Sequence, residues 1–556
     1  MENEIDAFIT VFPPVNANEE GSDEDSGDED DVNVDNLPRS VLETEAEIEH
    51  EEVYEQPSSS TRHFLPERRW RRNKDLSQEK QEFDPQPFEV DTEKTNSFIA
   101  GRSAIDVLQL FLTDDIVAEV VSFSNLFAMQ KNECLNVTVE EMKCFFAIVM
   151  ASGYIPLPNF RMFWEKAPDT VEFVAKAMRR DRFASIKQYL HLADNSNLGP
   201  NDKFAKLRPF FNALNDIFVK HSPETYFHSI DESMVPYFGH HSSKQCIRNK
   251  PVRFGFKFWC GCLPSGYLVW FEPYGGRSTT EYDDLGLGGK VVASYVNRLS
   301  EKSDSPHHLV FDNFFSSFKL FDYLHRINIR ATGTIRKNRL KGCPLPEDSE
   351  MKTKERGFYI YAYEENSETV LCKWKDNNTV CIISNGACVE PSGTAKRWST
   401  KDRRKVDIQQ PYLIKVYNNY MGGVDLFDSN IAHLRPRIRG KKWWWSPFVF
   451  ALQSCFHNAW LLYRMCQPGV TYLQFQRMCC VALLQRYGTV PLQGHLRQGR
   501  PSAIAVCARY DRQDHWIIDQ KPTQTRCGHC HKKTTTRCEK CNVGIHVHCF
   551  KEYHTL

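Results

Sequence analysis

A change in the spacing of apolar residues near position 225 sets the strongest limit on what this chain can fold into. Up to that point apolar residues recur at helical spacing, and from residue 226 they form short strand-like runs. The first run, residues 226–230, ends at the carboxylate of Asp231. The later runs predict a hairpin, a helix, a strand, a helix and a strand, over residues 254–274, 291–299, 308–311, 318–327 and 329–334. This mixture predicts an α+β architecture around a mixed sheet.

Helical patterns flank this predicted sheet in the sequence. Before it, apolar residues at three-to-four spacing predict helices over residues 104–123, 139–150, 178–195 and 209–219. After it, a helical pattern over 408–431 carries Asp425 and Asp428, and the apolar run over 443–465 is typical of a buried helix. A chain of 556 residues is long enough for several domains.

Charge is divided strongly along the chain. The formal net charge is −1, but residues 1–55 hold 20 acidic side chains and one basic residue, Arg39, so the remainder carries +18. The acidic segment has too few apolar residues to form a core and is predicted to be disordered. A basic body with an acidic arm favours a polyanionic partner, with nucleic acid first, over a solvated tail on a soluble enzyme. Chromatin proteins could contact the acidic arm.

Cysteine usage and hydropathy predict the cellular compartment of the chain. Five of its 19 cysteines fall between Cys527 and Cys549, and several others lie in apolar runs, as expected of a reducing compartment with one metal-binding segment. The acidic N-terminus does not resemble a signal peptide, and no apolar run is long enough to span a bilayer. The sequence therefore predicts a soluble protein of the nucleus or cytosol with no membrane partner.

Three acidic positions are predicted at the ends of elements. Asp231 and Asp312 follow strands, and Asp425 and Asp428 lie three residues apart on one helical face. Carboxylates at strand ends can hold hard divalent cations, and a pair of such ions can drive phosphodiester cleavage. A single aspartate after a strand is more often a turn former or a helix cap, so the prediction depends on the whole set.

Five blocks of sequence resemble the piggyBac transposases and the proteins derived from these elements. They are Ser229–Met234, Asn249–Lys257, Phe311–Ser317, Gly333–Asn338 and Tyr417–Asp428, in the order that the family has. The resemblance implies a ribonuclease-H-like catalytic core of the DDE type, with an inserted subdomain and a flanking helical dimerisation and DNA-binding domain. It assigns the catalytic and Mg²⁺- or Mn²⁺-binding roles to Asp231, Asp312, Asp425 and Asp428.

The implied activity is cut-and-paste transposition in a homodimer in the nucleus. In that reaction water frees a 3′-OH at the element end, the hydroxyl forms a hairpin that is reopened, and the 3′-OH joins to double-stranded target DNA at TTAA. The TTAA preference and the hairpin step come from the resemblance alone.

Basic residues near these blocks are predicted to contact DNA phosphates, and one tryptophan to stack on a base. The predicted DNA-binding residues are Lys250, Arg253, Arg336, Lys337, Arg435, Arg437, Arg439, Lys441, Lys442 and Trp443. The family has a tryptophan linked to the hairpin step here, and the sequence leaves open which of Trp443–Trp445 matches it. Packing in the following helix is the alternative, and it is expected for at least one of the three. Residues 68–74 could be a nuclear address, a DNA-contacting arm or a basic linker.

The C-terminal cysteines have the spacing of zinc ligands rather than of disulfides. An interleaved arrangement predicts two sets, Cys527, Cys530, His546 and Cys549 on one zinc and Cys538, Cys541 and His554 on another. The fourth ligand of the second set is open, with His529, His531 and His548 as candidates, or a single zinc is bound. The spacing is similar to plant-homeodomain fingers, and more so to the piggyBac cysteine-rich domain that binds element-end DNA.

These observations divide the chain into eight regions and leave three functions open. The regions are a disordered acidic segment ending in a basic cluster (1–75), a helical domain in two parts (95–222 and 443–490), a catalytic domain in two parts (223–340 and 407–442), an insertion subdomain (341–406), a linker (491–525) and a zinc domain (526–556). The functions are an active transposase, a catalytically silent DNA-binding or chromatin-associated derivative, and a chromatin-tail reader. An aromatic cage near Phe550 and Tyr553 would favour the third.

Overall fold

The chain forms two compact units in the structure, a computed structural model. It describes residues 68–72, 92–165, 171–247, 251–276, 282–302, 305–340, 342–400, 403–488, 509–511 and 513–555, and the backbone of 9–11 and 46–48. One unit comprises Met1–Lys94, Phe218–Ser429 and Lys441–Trp443, and the other comprises Thr95–Ile217, Asn430–Gly440 and Trp444–Leu556. Most of the predicted acidic arm, Lys250 and the first part of the predicted linker lie outside the described residues. Two short segments of the arm, β1 (Ile9–Val11) and β2 (Ala46–Ile48), pair with each other.

The first unit is built on a ten-stranded mixed sheet. Its strands are β3 (Trp70–Arg72), β4 (Phe227–Pro236), β5 (Gln245–Cys246), β6 (Phe254–Cys262), β7 (Leu268–Pro273), β8 (His308–Phe311), β9 (Arg330–Thr334), β10 (Tyr359–Glu364), β11 (Thr369–Lys375) and β12 (Thr379–Ser384). Their order is β3-β10-β11-β12-β9-β8-β4-β6-β5, with β7 also paired to β6. A separate pair, β13 (Gly393–Ser399) and β14 (Arg404–Gln410), follows in the sequence. The α+β architecture is as predicted.

The centre of this sheet is parallel. Strand β8 pairs in parallel with β4 on one side and with β9 on the other, and all four of its residues are buried. Parallel strands covered on both faces consist of nearly continuous apolar residues, which explains the run His308–Phe311. The register places Ile230 opposite Phe311, so Asp231 and Asp312 come next on neighbouring strands.

Strand β4 is longer than the sequence predicts. It continues beyond Asp231 to Pro236 because its second half pairs with β6 in antiparallel register. The prediction that Asp231 ends the strand is therefore wrong, although Asp231 does follow the last residue of the parallel pairing with β8.

The predicted insertion is only partly separate from the catalytic sheet. Its hairpin, predicted over 370–384, forms as β11 and β12, but β12 pairs with β9 and extends the central sheet. Residues 408–410, predicted as the start of a helix, belong to β14 because they pair with β13.

The basic cluster predicted at 68–74 supplies the edge strand β3, which pairs with β10. Arg68 forms an ion pair with Asp322 at 2.7 Å, and its guanidinium lies 4.3 Å from the ring centroid of Phe318. Arg71 pairs with Glu365. Residues 68–72 are therefore part of the folded sheet, which corrects the prediction of a disordered segment up to residue 75.

In the described part of this unit, the sheet is accompanied by the helices α8 (Gly286–Ser300), α9 (Phe318–Arg326), α10 (Asp348–Lys352), α11 (Tyr412–Tyr420) and α12 (Gly423–His433), of which α12 begins in this unit. Helix α11 contacts β9, β12 and β4, and Tyr420 stacks on Phe227 at 3.6 Å between ring centroids. Gly266, at φ +86°, turns β6 towards β7 and lies against Leu426 of α12. These contacts hold the start of α12 beside β4.

The second unit is mainly helical. Its helices are α1 (Thr92–Ile99), α2 (Ala104–Gln109), α3 (Asp114–Gln130), α4 (Val139–Ala151), α5 (Glu172–Ala177), α6 (Arg180–Tyr189), α7 (Arg208–His221), α13 (Trp445–Cys466) and α14 (Tyr472–Tyr487), of which α1 begins and α7 ends in the first unit. The helix predicted over 104–123 is two helices, since Thr113 accepts a hydrogen bond from the amide of Ile116 and caps a new start there. Among the described residues, no helix is both long and apolar enough to cross a bilayer.

The C-terminal residues form a small β-rich fold. Its elements are β15 (Ile517–Asp519), β16 (Thr525–Arg526), β17 (Lys533–Thr534), β18 (Thr536–Cys538), β19 (Val543–Gly544) and α15 (Phe550–His554). Strand β15 pairs with β18, so the second half of the predicted linker 491–525 belongs to this fold.

Gly423 generates a test of this packing. A Cβ atom there would lie 2.6 Å from the carbonyl oxygen of Leu263 and closer still to Ser229 Oγ. We expect Gly423→Ala to destabilise the first unit by about 1–3 kcal/mol, as overpacking usually does, and to lower its midpoint in a thermal melt. Gly422→Ala is the matched control, since a Cβ there meets nothing within 4 Å. Equal melting curves for the two variants would contradict this packing.

Candidate active site and metal centres

Three chain segments bring carboxylates to the end of the parallel pairing. Asp231 lies within β4. Asp312 is the first residue after β8, the strand adjacent to β4. Asp425 lies in the first turn of α12, which begins where Gly423 meets Ser229 of β4. The aspartates are partly or fully exposed, so they can meet an incoming ligand.

Asp428 is held one helical turn further along α12. Its Oδ1 accepts a hydrogen bond of 2.6 Å from the hydroxyl of Ser233. Ser233 is two residues beyond Asp231, so the two side chains lie on the same face of β4. Burial raises the pKa of the Cys262 thiol well above its usual value, and the charges of Asp428 and Asp231 add to that effect. Both carboxylates therefore act on one buried group.

The pKa of Tyr417 in α11 is affected by three of the aspartates. Burial raises the pKa of its phenol to about 12, and Asp312, Asp231 and Asp425 each contribute in the same direction. A hydrogen bond with Thr334 at the end of β9 opposes the rise. Carboxylates on or beside β4, β8 and α12 thus all influence one phenol, which stays protonated at neutral pH.

The aspartate oxygens can hold hard divalent cations, which prefer carboxylate ligands and keep space for phosphate oxygens. Within the described residues, only the two cysteine and histidine clusters bring three or more ligand atoms within 4.8 Å of one another, so the aspartates are more widely spaced. Like charges repel each other, and a cation between them would remove that repulsion.

The loop after Asp312 is fixed by several contacts. Asp312 Oδ1 accepts a 2.9 Å hydrogen bond from the amide of Phe314, which orients the carboxylate. Arg339 Nη1 donates to the carbonyl oxygens of Asn313, Phe314 and Ser316 at 2.9, 3.2 and 2.6 Å. Arg336 Nε donates to the Asn313 side chain at 3.0 Å. One guanidinium therefore gathers three carbonyl groups of the loop that carries Asp312.

An aromatic stack supports the same loop from β6. The Phe314 ring stacks on Trp259 with 5.3 Å between centroids. The ammonium of buried Lys257 lies 4.0 Å from the Trp259 centroid and 4.9 Å from that of Phe314. Trp259 pairs with Glu232, the residue after Asp231, so the stack connects the neighbourhoods of two aspartates.

The predicted DNA-binding residues of the first unit have different environments. Arg253 is exposed just before β6, and Lys441 is exposed near the end of the unit. Arg336 is half-buried on Asn313, and burial, with a contribution from Arg339, lowers its pKa to about 10. Lys337 is exposed but pairs with Asp348. Arg336 is thus engaged in holding the Asp312 loop.

In the second unit, Arg437 and Arg439 are exposed and Arg435 is partly buried; Lys442, in the first unit, is also partly buried. The backbone amide of Arg437 donates to Ser152 Oγ at 2.9 Å, which leaves its side chain at the surface.

The tryptophan prediction needs correction. Trp443 is fully buried, with its ring 4.3 Å from His241 and 5.9 Å from Phe256 between centroids. Trp444 and Trp445 are also buried in the second unit, where Trp445 Nε1 donates to the carbonyl of Ile438. All three pack in cores, so none presents its ring to a DNA base in this structure.

The first cysteine and histidine cluster consists of Cys527, Cys530, His546 and Cys549, as predicted. His546 Nδ1 lies 3.3 Å from the sulfur of Cys530, and its Nε2 is 3.0 Å from the carbonyl oxygen of Lys533. A carbonyl that holds the second ring nitrogen is the usual outer partner of a metal-binding histidine.

The second cluster gains a ligand that the sequence analysis missed. It consists of His515, Cys538, Cys541 and His554, and His515 Nδ1 lies 3.4 Å from both sulfurs. His515 Nε2 is held by Asp511 at 3.0 Å. His554 Nε2 is buried with no hydrogen-bond partner among the described residues, as expected of an atom that faces a metal.

The three histidines proposed from spacing do not complete this cluster. His529 is 42% exposed and pairs with Glu552 at 2.9 Å, and His548 stacks on His546. His531 also lies outside both clusters. The two sets alternate along the chain, which confirms the predicted interleaving.

Comparisons with known proteins identify relatives of this chain. A family model described as Transposase IS4 matches residues 103–460. The human PiggyBac transposable element-derived protein 3 is 41% identical over 98% of this chain and 96% of its own length. The human PiggyBac transposable element-derived protein 2 is 39% identical over 98% of this chain and 93% of its own. A piggyBac transposase, solved by cryo-EM as a synaptic complex with hairpin DNA, has the same fold, with a TM-score of 0.55 and 19% identity over 80% of this chain and 97% of that one.

Arg339 offers a test of how the Asp312 loop is held. We expect Arg339→Met to leave three carbonyl oxygens without their charged donor and to destabilise the loop by about 1.5–3 kcal/mol. Hydrogen exchange followed by mass spectrometry should show faster exchange in residues 312–317. Lys337→Met, which removes an exposed cation two residues away, should leave that exchange unchanged. Similar exchange in both variants would rule out the guanidinium as the anchor.

Proposed function

Because the chain belongs to the piggyBac transposase family, we propose that it is a metal-dependent DNA transposase, or a host-resident derivative that retains this chemistry. The observation that carries the proposal is the register that puts Asp231 and Asp312 next to each other on neighbouring strands, with Asp425 brought beside β4 by the contact of Gly423 with Ser229. Three carboxylates from three segments suit the cleavage and transfer of phosphodiester strands better than any role of a single turn or cap.

The proposed roles follow from the contacts of each side chain. Asp231, Asp312 and Asp425 would hold Mg²⁺ or Mn²⁺, and Asp428 would complete the set. Bound ions of this kind activate an attacking oxygen and stabilise a leaving one. Ser233 fixes Asp428, and the amide of Phe314 fixes Asp312. Tyr417 remains neutral, so it adds no further negative charge to a site that must accept phosphate.

The finer features of the reaction are proposed from the family. They are a homodimer that brings two element ends together, cleavage through hairpin ends, joining at TTAA in double-stranded DNA and action in the nucleus. The basic character of residues 56–556 supports DNA as the partner. The burial of Trp443–Trp445 means that a hairpin step would need another stacking residue or a rearrangement.

A catalytically silent, DNA-binding or chromatin-associated derivative is the second candidate. The human relatives that match along nearly the whole chain are named as transposable element-derived proteins, which supports descent from a transposase as much as activity. The third candidate, a chromatin-tail reader, has less support because Tyr553 is buried beneath Arg509, whose guanidinium lies 3.7 Å from the ring centroid. An open aromatic cage would need that ring at the surface.

We propose that each cysteine and histidine cluster holds one Zn²⁺. Thiolate and imidazole in a set of four are the ligands that structural zinc prefers. The donor set of each cluster and the outer partners of His515 and His546 support this assignment. A fold this small usually needs such a metal to be stable.

Substitution of Asp312 tests the proposed catalytic role. We expect Asp312→Ala to abolish Mg²⁺- or Mn²⁺-dependent nicking of a duplex that carries TTAA beside a terminal repeat, while binding to the duplex stays nearly unchanged. The reason is that the carboxylate is proposed to hold the ion, while phosphates are held by basic residues elsewhere. Gel assays of cleavage and of binding, run on the full chain, measure both.

Asp231→Asn is the matched variant, since it keeps the shape of the side chain and removes its charge. Nicking that requires both metal and Asp231 supports an active transposase. Binding without cleavage by the unaltered protein favours the silent derivative, and an equal loss of binding in Asp312→Ala argues against the assigned role.

Substitution of His515 tests the second zinc site. We expect His515→Ala to lower the zinc content of the purified chain from two ions to about one, because the cluster loses one of its four ligands. His529→Ala is the control, since His529 is exposed and outside the cluster, and it should keep both ions. Native mass spectrometry counts the ions. Loss of one ion in His529→Ala but not in His515→Ala would indicate that His529, and not His515, is the fourth ligand.

A further inference from the structure

Strands β13 and β14 form a two-stranded ribbon that lies outside the ten-stranded sheet. They pair from Gly393 opposite Gln410 to Ser399 opposite Arg404, and within the described residues neither pairs with another strand. None of the DNA-binding residues predicted from the sequence lies in this ribbon. Its two faces differ sharply in their contacts.

The inner face of the ribbon is fixed to the first unit. Ile408 is buried in the same core cluster as Val370 and Trp374 of β11. Trp374 Nε1 donates to the carbonyl oxygen of Gln409 at 2.8 Å. These contacts make the ribbon a continuation of the core rather than a free arm.

A charged network anchors the side of the ribbon. Arg397 Nε donates to Asp376 Oδ2 at 2.9 Å, and Arg356 pairs with the other oxygen of Asp376 at 2.6 Å. Arg356 also donates to the backbone carbonyl of Trp398 at 2.9 Å. The position of residue 398 is therefore set by Arg356 and by the turn between β11 and β12, which carries Asp376.

The outer face carries exposed cations around an exposed tryptophan. Trp398 is 59% exposed and lies directly opposite Lys405, and Lys396 is exposed two residues before it. Arg403 is exposed just before β14, whereas Arg404, which is opposite Ser399, lies on the other face of the ribbon. Among the described residues, Lys396, Lys405 and Arg403 form no ion pair, and the single acidic residue on the outer face is Asp407, opposite Lys396.

We propose that the outer face of this ribbon, residues 393–410, lies against duplex DNA. Lys396 and Lys405, with the neighbouring Arg403, neutralise phosphates, and the Trp398 ring makes an apolar contact with a base edge. The proposal rests on the proposed function, and it adds to that function a surface built from the insertion subdomain.

Shape and charge both favour this occupant. The major groove of B-DNA admits a two-stranded β-ribbon, and seven residues of strand extend about 23 Å along it. The exposed ring of Trp398 leaves apolar surface in contact with water in the free protein, and a base edge would bury that surface. Lysine and arginine side chains without a protein partner can exchange condensed counterions for phosphates.

Salt-dependent binding of the full chain to a short duplex of random sequence tests the proposal. Fluorescence anisotropy would measure the affinity, since phosphate contacts need no particular sequence. We expect the double variant Lys396→Gln/Lys405→Gln to lower the slope of log affinity against log salt by about 1.8, from about 0.9 per lost phosphate contact. We expect Trp398→Ala to bind about tenfold more weakly with an unchanged slope, and Trp398→Phe to bind almost as tightly as the original chain.

Lys352→Gln is the matched control, since it removes an exposed cation of the same unit outside the ribbon. A thermal melt of each variant shows that the outer-face substitutions leave the fold intact. Unchanged affinity and slope in the ribbon variants would overturn the ribbon surface while DNA binding stands, as would an equal loss in Lys352→Gln. Absence of duplex binding by the original chain at low salt would overturn the ribbon and the proposed function together.

Discussion

The parallel pairing of β4 with β8 is the constraint on which the candidate site depends. Its register, with Ile230 opposite Phe311, brings Asp231 and Asp312 to adjacent positions from segments about 80 residues apart in the chain. The same strand then continues in antiparallel register with β6, which positions Trp259 and Lys257 next to the loop after Asp312. Helix α12 adds Asp425 because Gly423 permits close approach to Ser229 on β4. A slip of one residue in the β4 and β8 pairing would turn these side chains to opposite faces.

Around that pairing, many polar side chains orient other groups rather than take part in a reaction. Arg339 binds the carbonyl groups of the Asp312 loop, and Ser233 binds Asp428. In the C-terminal fold, Asp511 and the carbonyl of Lys533 hold the outer nitrogens of His515 and His546. Carboxylates and imidazoles that must present one atom to a cation need a second contact to set their orientation. These positioning residues are as informative about function as the groups they hold.

The sequence predicts the strands with continuous apolar character well and the pairing-dependent features poorly. The bounds of β6 and β8 agree with prediction because a fully buried strand differs from its polar neighbours on both sides. The extension of β4 to Pro236 and the joining of β12 to β9 could not be predicted, since they depend on which strands meet. The helix break at Thr113 was not predicted either, because the helical spacing of apolar residues continues across this residue, which caps the start of α3.

The residues of the candidate sites also divide into those that the sequence predicts and those that depend on the tertiary fold. The four aspartates of the candidate site and seven of the eight residues in the two cysteine and histidine clusters were predicted from short spacing and from family blocks. His515 was missed because it lies 23 residues before Cys538, beyond the range of any knuckle spacing. The prediction that Trp443 and Arg336 contact DNA came from their residue types. The burial of Trp443 and the hydrogen bond of Arg336 to Asn313 depend on the tertiary fold. Residue type therefore indicated the chemistry, and the fold decides which side chains are free to perform it.

Iron-mediated backbone cleavage can show whether Asp231, Asp312 and Asp425 form one site for divalent cations. Fe²⁺ bound in place of Mg²⁺ generates radicals that cut the nearest peptide bonds in the presence of ascorbate and peroxide. We expect cuts near all three aspartates together, which excess Mg²⁺ suppresses and which Asp231→Asn abolishes. Cuts near only one of them, or a pattern unchanged in Asp231→Asn, would contradict that expectation.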